Sequence, residues 1–98
     1  MPYRSNLLTV LSRQIVSWQL PDEVLVEVYL RLREALPQSP LQFLQREEQP
    51  FDGMVYRFSL VDPHNRIVVH YFAFHVLYGQ DEETLYIVRG GYVKSSGV

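Results

Sequence analysis

From Gly53 onward the chain changes texture. MVYRFSLV, RIVVHYFAFHVLY and ETLYIVR are runs of β-branched and aromatic residues with polar groups interleaved, separated by DPHN and GQDE. That pattern predicts three strands, at about 54–61, 66–78 and 83–89, joined by two turns. The first half repeats at a longer period. Leu7, Leu8, Leu11, Ile15 and Trp18 recur at helical spacing and predict an amphipathic helix over 7–18, although Tyr3 to Val10 also leaves room for a short edge strand. In LPDEVLVEVYLRLREALP, Pro21 stands where a first helical residue tolerates a missing N–H, and Asp22 and Glu23 fall where the helix dipole favours negative charge. Leu25, Val28, Leu32 and Leu36 form the apolar stripe, and Pro37 is expected to stop the helix. Val24, Val26, Val28 and Tyr29 keep a strand reading open beside the helical one. Residues 37–53 carry three of the six prolines and the charged patch at 46–48, and predict an irregular connection with a short strand near LQFLQ. The fold class expected is α+β, with two N-terminal helices packed on one face of a three- to four-stranded antiparallel sheet.

Strand parity then sorts the side chains. If DPHN is a four-residue loop, Val61 lies opposite Arg66, Ser59 opposite Val68 and Arg57 opposite His70. Tyr56, Phe58, Leu60, Ile67, Val69 and Tyr71 share the other face, which is expected to meet the helices. Taking GQDE as the second loop puts Val76 opposite Leu85, Phe74 opposite Ile87 and Phe72 opposite Arg89. Arg57, Arg66, His70 and Arg89 are thereby expected on one exposed face beside Phe72 and Phe74. Tyr92 and Lys94 follow Gly90 and Gly91, which leave their direction open. An odd-length loop or a bulge would exchange faces.

Composition narrows the classes. The chain has 98 residues, 47 % of them hydrophobic and 13 % aromatic, which fits one compact domain. With no cysteine there is neither a disulfide framework nor a thiolate metal site. No apolar run approaches the roughly 20 residues of a membrane span, and no secretory signal opens the chain, so a cytoplasmic protein without membrane contact is expected. The net charge of −2 weighs against strong non-specific nucleic-acid binding and leaves only a local basic face.

Arginines on an exposed sheet face are ordinarily solvated. Three that converge make a site for phosphate, because guanidinium presents paired donors, and neighbouring aromatics can stack on bases. Phe72, Phe74, Leu85 and Ile87 can equally mean a strand covered on both sides. His70 and His75, five apart, point to opposite faces of a regular strand, so they are not a zinc pair and no metal is expected. His75 is expected in the core and His64 solvated in the turn, which leaves His70 as the acid–base candidate. Glu47, Glu48, Asp52 and Asp81 to Glu83 fall in predicted loops. No nucleophile-elbow, zincin, P-loop or dinucleotide fingerprint is present, and no cofactor is expected.

WQLPDEV leading into a long second helix, then GMVYRFSLVDPHNRIVVHYF and LYIVRGGY, resembles the RelE/ParE toxin superfamily over most of the chain. The likeness lies in the order of elements and in Tyr56-Arg57 followed by Arg66 beyond the turn. It implies a toxin-like protein of a toxin–antitoxin system that cleaves ribosome-bound mRNA or inhibits a target by binding. Carried over, Arg57, Arg66 and Arg89 would hold phosphate and stabilise developing negative charge, and Tyr92 would be the proton donor or acceptor. Phe72, Phe74 and Lys94 would line the substrate side. The partners implied are an antitoxin segment and RNA or the ribosome. The competing reading is a non-catalytic interaction module whose exposed sheet face docks an acidic protein segment or a second copy of the chain.

Overall fold

The computed structural model describes residues 4–47, 53–81 and 83–96. Its centre is a five-stranded sheet in the order β1-β5-β4-β3-β2. The strands are β1 (Arg4–Leu7), β2 (Leu44–Glu47), β3 (Gly53–Val61), β4 (Val69–Tyr78) and β5 (Thr84–Ser95). β1 runs parallel to β5, and the other neighbours are antiparallel. The three strands read from the alternation form the middle of the sheet. Two short edge strands bring the total above the three or four expected; each was open in the sequence, one near the N-terminus and one near LQFLQ. Glu48, Asp52 and Glu82 of the loop carboxylates lie outside the described residues.

Helix α1 (Thr9–Ser17) buries Leu11 and Ile15 and starts later than its apolar spacing suggested, because Leu7 is spent on β1. Helix α2 (Asp22–Leu30) buries Val24 and Val28. Helical backbone does not stop at Pro37. Arg31–Ala35 widen into a π turn, in which the Leu36 N–H donates to the Arg31 carbonyl, and a last α turn, α3, follows at Leu36–Gln38. Pro37 has no N–H to give the carbonyl of Arg33 and its ring crowds that carbonyl, so the ladder loosens one turn earlier instead of breaking. A further turn, α4 (Pro40–Phe43), leads into β2.

The core lies between these helices and one sheet face: Leu11, Ile15, Val24, Val28, Leu32 and Leu36 meet Tyr56, Phe72, Phe74, Val76, Leu85 and Ile87. Trp18, just past α1, stands over the sheet with ring centroids 6.0 Å from Phe72, 6.0 Å from Phe74 and 5.4 Å from Tyr92.

The register of β4 differs from expectation. Val61 pairs with Val69, Phe58 with Phe72 and Arg57 with Ala73, an odd offset of three from the four-residue loop. The cause is Asp62. Its Oδ1 accepts the N–H of His64 at 2.8 Å and of Asn65 at 3.1 Å, while its own N–H donates to the Val68 carbonyl at 2.9 Å. Arg66, Ile67 and Val68 are thereby drawn into the loop. The odd shift turns His70, Phe72 and Phe74 toward the helices and Tyr71 and His75 away from them. Leu85 and Ile87 face the helices as well. A second irregularity follows: Val76 pairs with Ile87 but His75 with Arg89, so Val88 is an extra residue on β5. This bulge reverses the remainder of β5 and returns Arg89 to the side of Arg57.

Candidate functional site

Arg57 and Arg89 do share the outer sheet face, the one turned from the helices, and both are exposed. The parity that joins them is the product of two odd offsets that cancel. Across the sheet, Arg57, Ala73 and Gly91 form one row; Ser59, Tyr71 and Val93 form the row on one side of it, and His75 and Arg89 lie on the other. Same-face rows are about 7 Å apart along a strand. The central row has a methyl group at Ala73 and nothing at Gly91, where a Cβ would meet no atom within 4 Å. The result is a shallow groove of ≈ 440 Å³ whose lining includes Arg57, Ser59, Tyr71, Ala73, Gly91 and Val93. One row along from the floor, outside the groove lining, the Arg89 Nε donates to His75 Nδ1 at 3.1 Å, so that this nitrogen acts as the acceptor.

The other predicted residues lie elsewhere. Phe72 is 3 % exposed and Phe74 0 %, both under the helices, so neither presents a ring on the outer face. Their expected exposure is corrected by the seven-residue loop. Arg66 sits exposed in that loop and not on a strand. Lys94 pairs with His70 in register and is exposed.

His70 and Tyr92 are on the helix side, and they belong to one hydrogen-bonded chain. His70 is 2 % exposed. Its Nε2 lies 2.8 Å from Asp62 Oδ2 and its Nδ1 2.6 Å from Tyr92 Oη. An ionised carboxylate only accepts, so Nε2–H donates to Asp62, and the bare Nδ1 receives the Tyr92 hydroxyl proton. The hydrogen bond from His70, followed by the backbone bond from His64, holds the Asp62 carboxyl below the usual carboxylate range. Burial, followed by the negative charge of Asp62, pushes the Tyr92 phenol up. Tyr92 therefore stays a neutral donor whose ring is clamped by Trp18 and Phe72, with centroids at 5.4 and 5.3 Å. Gly90, between the two sites, faces inward; a Cβ there would stand 2.7 Å from the Phe74 ring, and its N–H donates to Gln14 Oε1 at 2.9 Å.

Sequence reasoning missed Asp62, Tyr71, His75 and the Ala73–Gly91 floor. The Asp-Pro-His-Asn run carried a signal for Asp62, since an aspartate opening such a stretch commonly folds back on N–H groups two and three residues on. The bulge at Val88 had none.

Among the described residues, no three His, Asp or Glu side chains converge as a metal site, and no helix is long and apolar enough to cross a membrane. No family profile matches the chain, and no curated protein matches its sequence. Among solved structures it is similar to a chain of the RelBE2 toxin–antitoxin complex from Mycobacterium tuberculosis, with TM-score 0.62 and 18 % identity, over 95 % of this chain and 100 % of that one. Helices on one side of a mostly antiparallel sheet, aligned over nearly the full length of both chains, make this a RelE-like fold.

Proposed function

We propose that this protein is the toxin-like component of a toxin–antitoxin pair and that its outer sheet face engages RNA. The observation that carries this reading is that Arg57 lines a groove floored by Ala73 and Gly91 while Arg89, one row along β5, projects from the same sheet face. Two exposed guanidinium groups on one sheet face suit the phosphates of a single strand. In its finer form the reading is RNA cleavage. The 2′-hydroxyl oxygen attacks the adjacent phosphorus, the P–O5′ bond breaks to leave a 2′,3′-cyclic phosphate and a 5′-hydroxyl, and the charge that builds on the non-bridging oxygens is stabilised by Arg57 and Arg89. His75 accepts from the Arg89 Nε through its Nδ1 and so positions that guanidinium, while the 2′-hydroxyl proton passes to solvent water and the departing 5′ oxygen takes one from it. His70, Tyr92 and Asp62 serve instead to tie the β3–β4 loop to the last strand. RNA as target places the action in the cytoplasm. An antitoxin segment would cover apolar side chains on the outer surfaces of the helices, where Val10, Val16, Val26 and Leu30 are exposed.

Induced expression is expected to arrest bacterial growth with loss of intact mRNA, and Arg57→Ala combined with Arg89→Ala to relieve the arrest. Growth unaffected by the wild-type chain, with RNA intact, would contradict the reading. A second reading is a protein-docking module, open to an acidic segment or a second copy. It is favoured by Val61, Tyr71 and Val93, which are 57 %, 48 % and 65 % exposed on the same face. Sedimentation of the purified chain as a dimer that Val93→Asp dissociates would support it.

A further inference from the structure

We propose that the outer groove takes one unpaired RNA base, laid over Ala73 and Gly91 and stacked on Tyr71, while Arg57 and Arg89 hold the phosphates on either side of it. This rests on the RNA-binding reading and adds to it a base subsite and the residues that shape it.

Three observations support it. The floor is empty of side chain at Gly91, and no atom comes within 4 Å of where its Cβ would be. A strand interior gains nothing from such a gap, since glycine there costs backbone entropy and packs nothing. The emptiness makes sense if something flat occupies it. Tyr71 supplies the wall: it is 48 % exposed, adjoins Ser59 and Val93 in register, and lines the groove. An exposed aromatic ring beside a cationic backbone track is the usual means of holding single strands, because every base has a π-face. The charges have the right sign as well. Arg57 and Arg89 lie two strands apart and one row offset, about 12 Å between Cα atoms by strand spacing. Their long side chains can therefore reach phosphates on both sides of a seated nucleotide. A volume of ≈ 440 Å³ falls within the range of about 300–1,000 Å³ typical of small-ligand sites. A duplex keeps its bases stacked and cannot enter a groove of this kind.

The test uses the full chain and a fluorescein-labelled single-stranded RNA of mixed sequence, followed by anisotropy, with the same strand in duplex form for comparison. The wild type is expected to prefer the single strand. Gly91→Val fills the floor at a position with room for it and should keep or raise the melting temperature, yet weaken single-strand binding. Tyr71→Ala should weaken it on the order of 5- to 100-fold, the usual effect of losing one stacked base, while Tyr71→Phe retains it. Gly91→Val binding RNA as the wild type does, with Tyr71→Ala equally silent, would overturn the base subsite and leave phosphate binding by the arginines intact. Equal affinity for duplex and single strand would also overturn it. A wild type that binds no RNA would remove the functional reading together with this inference. If a poly-glutamate peptide displaced nothing from the wild type, the assignment to RNA would stand; if it bound the groove better than RNA and was excluded by Gly91→Val, the occupant would be an acidic segment and the proposal would fail.

Discussion

Gly90 and Gly91 are adjacent in the chain and opposite in demand. A methyl group at 90 would stand 2.7 Å from the fully buried Phe74 ring, whereas one at 91 would meet nothing. Gly90→Ala should therefore lower stability by about 1–3 kcal/mol through overpacking. Gly91→Ala should be neutral or stabilise by roughly 0.5–1 kcal/mol, because it removes freedom from the unfolded chain. Thermal melts of the two variants check this directly, and equal melting temperatures would contradict the side assignment. Tyr92 gives a second measure at this scale. Its hydroxyl donates to the buried His70, so Tyr92→Phe removes a hydrogen bond worth about 1 kcal/mol, which in a domain of this size lowers the melting temperature by ~4–8 °C. Gln19 holds a left-handed conformation, φ 52°, just past α1, where its N–H donates to the Val16 carbonyl. Gln19→Gly is expected to stabilise by about 1 kcal/mol, the usual cost of an L-residue there.

At the scale of elements, what joins the layers is the aromatic cluster about Trp18, which ties the end of α1 to β4 and β5. Trp18→Ala should cost about 3–5 kcal/mol, enough to leave a domain of this size marginal; chemical denaturation shows it as a lowered midpoint. The elements themselves were largely legible. The stripe through Val28, Leu32 and Leu36 and the β-branched runs after Gly53 specified two helices and three central strands, because burial on one face imposes a period on the sequence. Register was not legible. It depended on how many residues Asp62 would gather into the β3–β4 loop and on an extra residue at Val88, and both are decided by local hydrogen bonding and twist, which leave no periodic trace. Parity therefore reversed β4, so Phe72 and Phe74 went to the core and Tyr71 and His75 came out. Arg57 and Arg89 met on one face only because a second odd step undid the first.

For the whole molecule, acid stability follows from three carboxylates held low. Asp62 is lowered by the His70 hydrogen bond and then the His64 N–H, Glu23 by its own backbone N–H and then His64, and Asp81 by the Glu83 N–H and then the Thr84 hydroxyl. A depressed carboxyl contributes stability that is complete above its unfolded pKa, about 4, and is lost as pH falls through its folded value. The protein should thus hold its stability down to about pH 5 and lose it progressively below pH 4, and Asp62→Asn should flatten that decline. At the other end, the raised phenols of Tyr92 and Tyr56, both pushed up first by burial, contribute stability below about pH 10 that disappears as pH rises further. Charge also bears on function: a chain of net charge −2 that binds RNA must do so through a local patch and not through its overall field. The salt dependence of RNA binding reads that patch directly. Each arginine that holds a phosphate adds about 0.7 to the slope of log K against log salt for a single strand. The account predicts measurable wild-type binding whose slope falls by about 0.7 in Arg57→Ala, by about 0.7 in Arg89→Ala and by about 1.4 in the double variant; a slope unchanged in all three would contradict it.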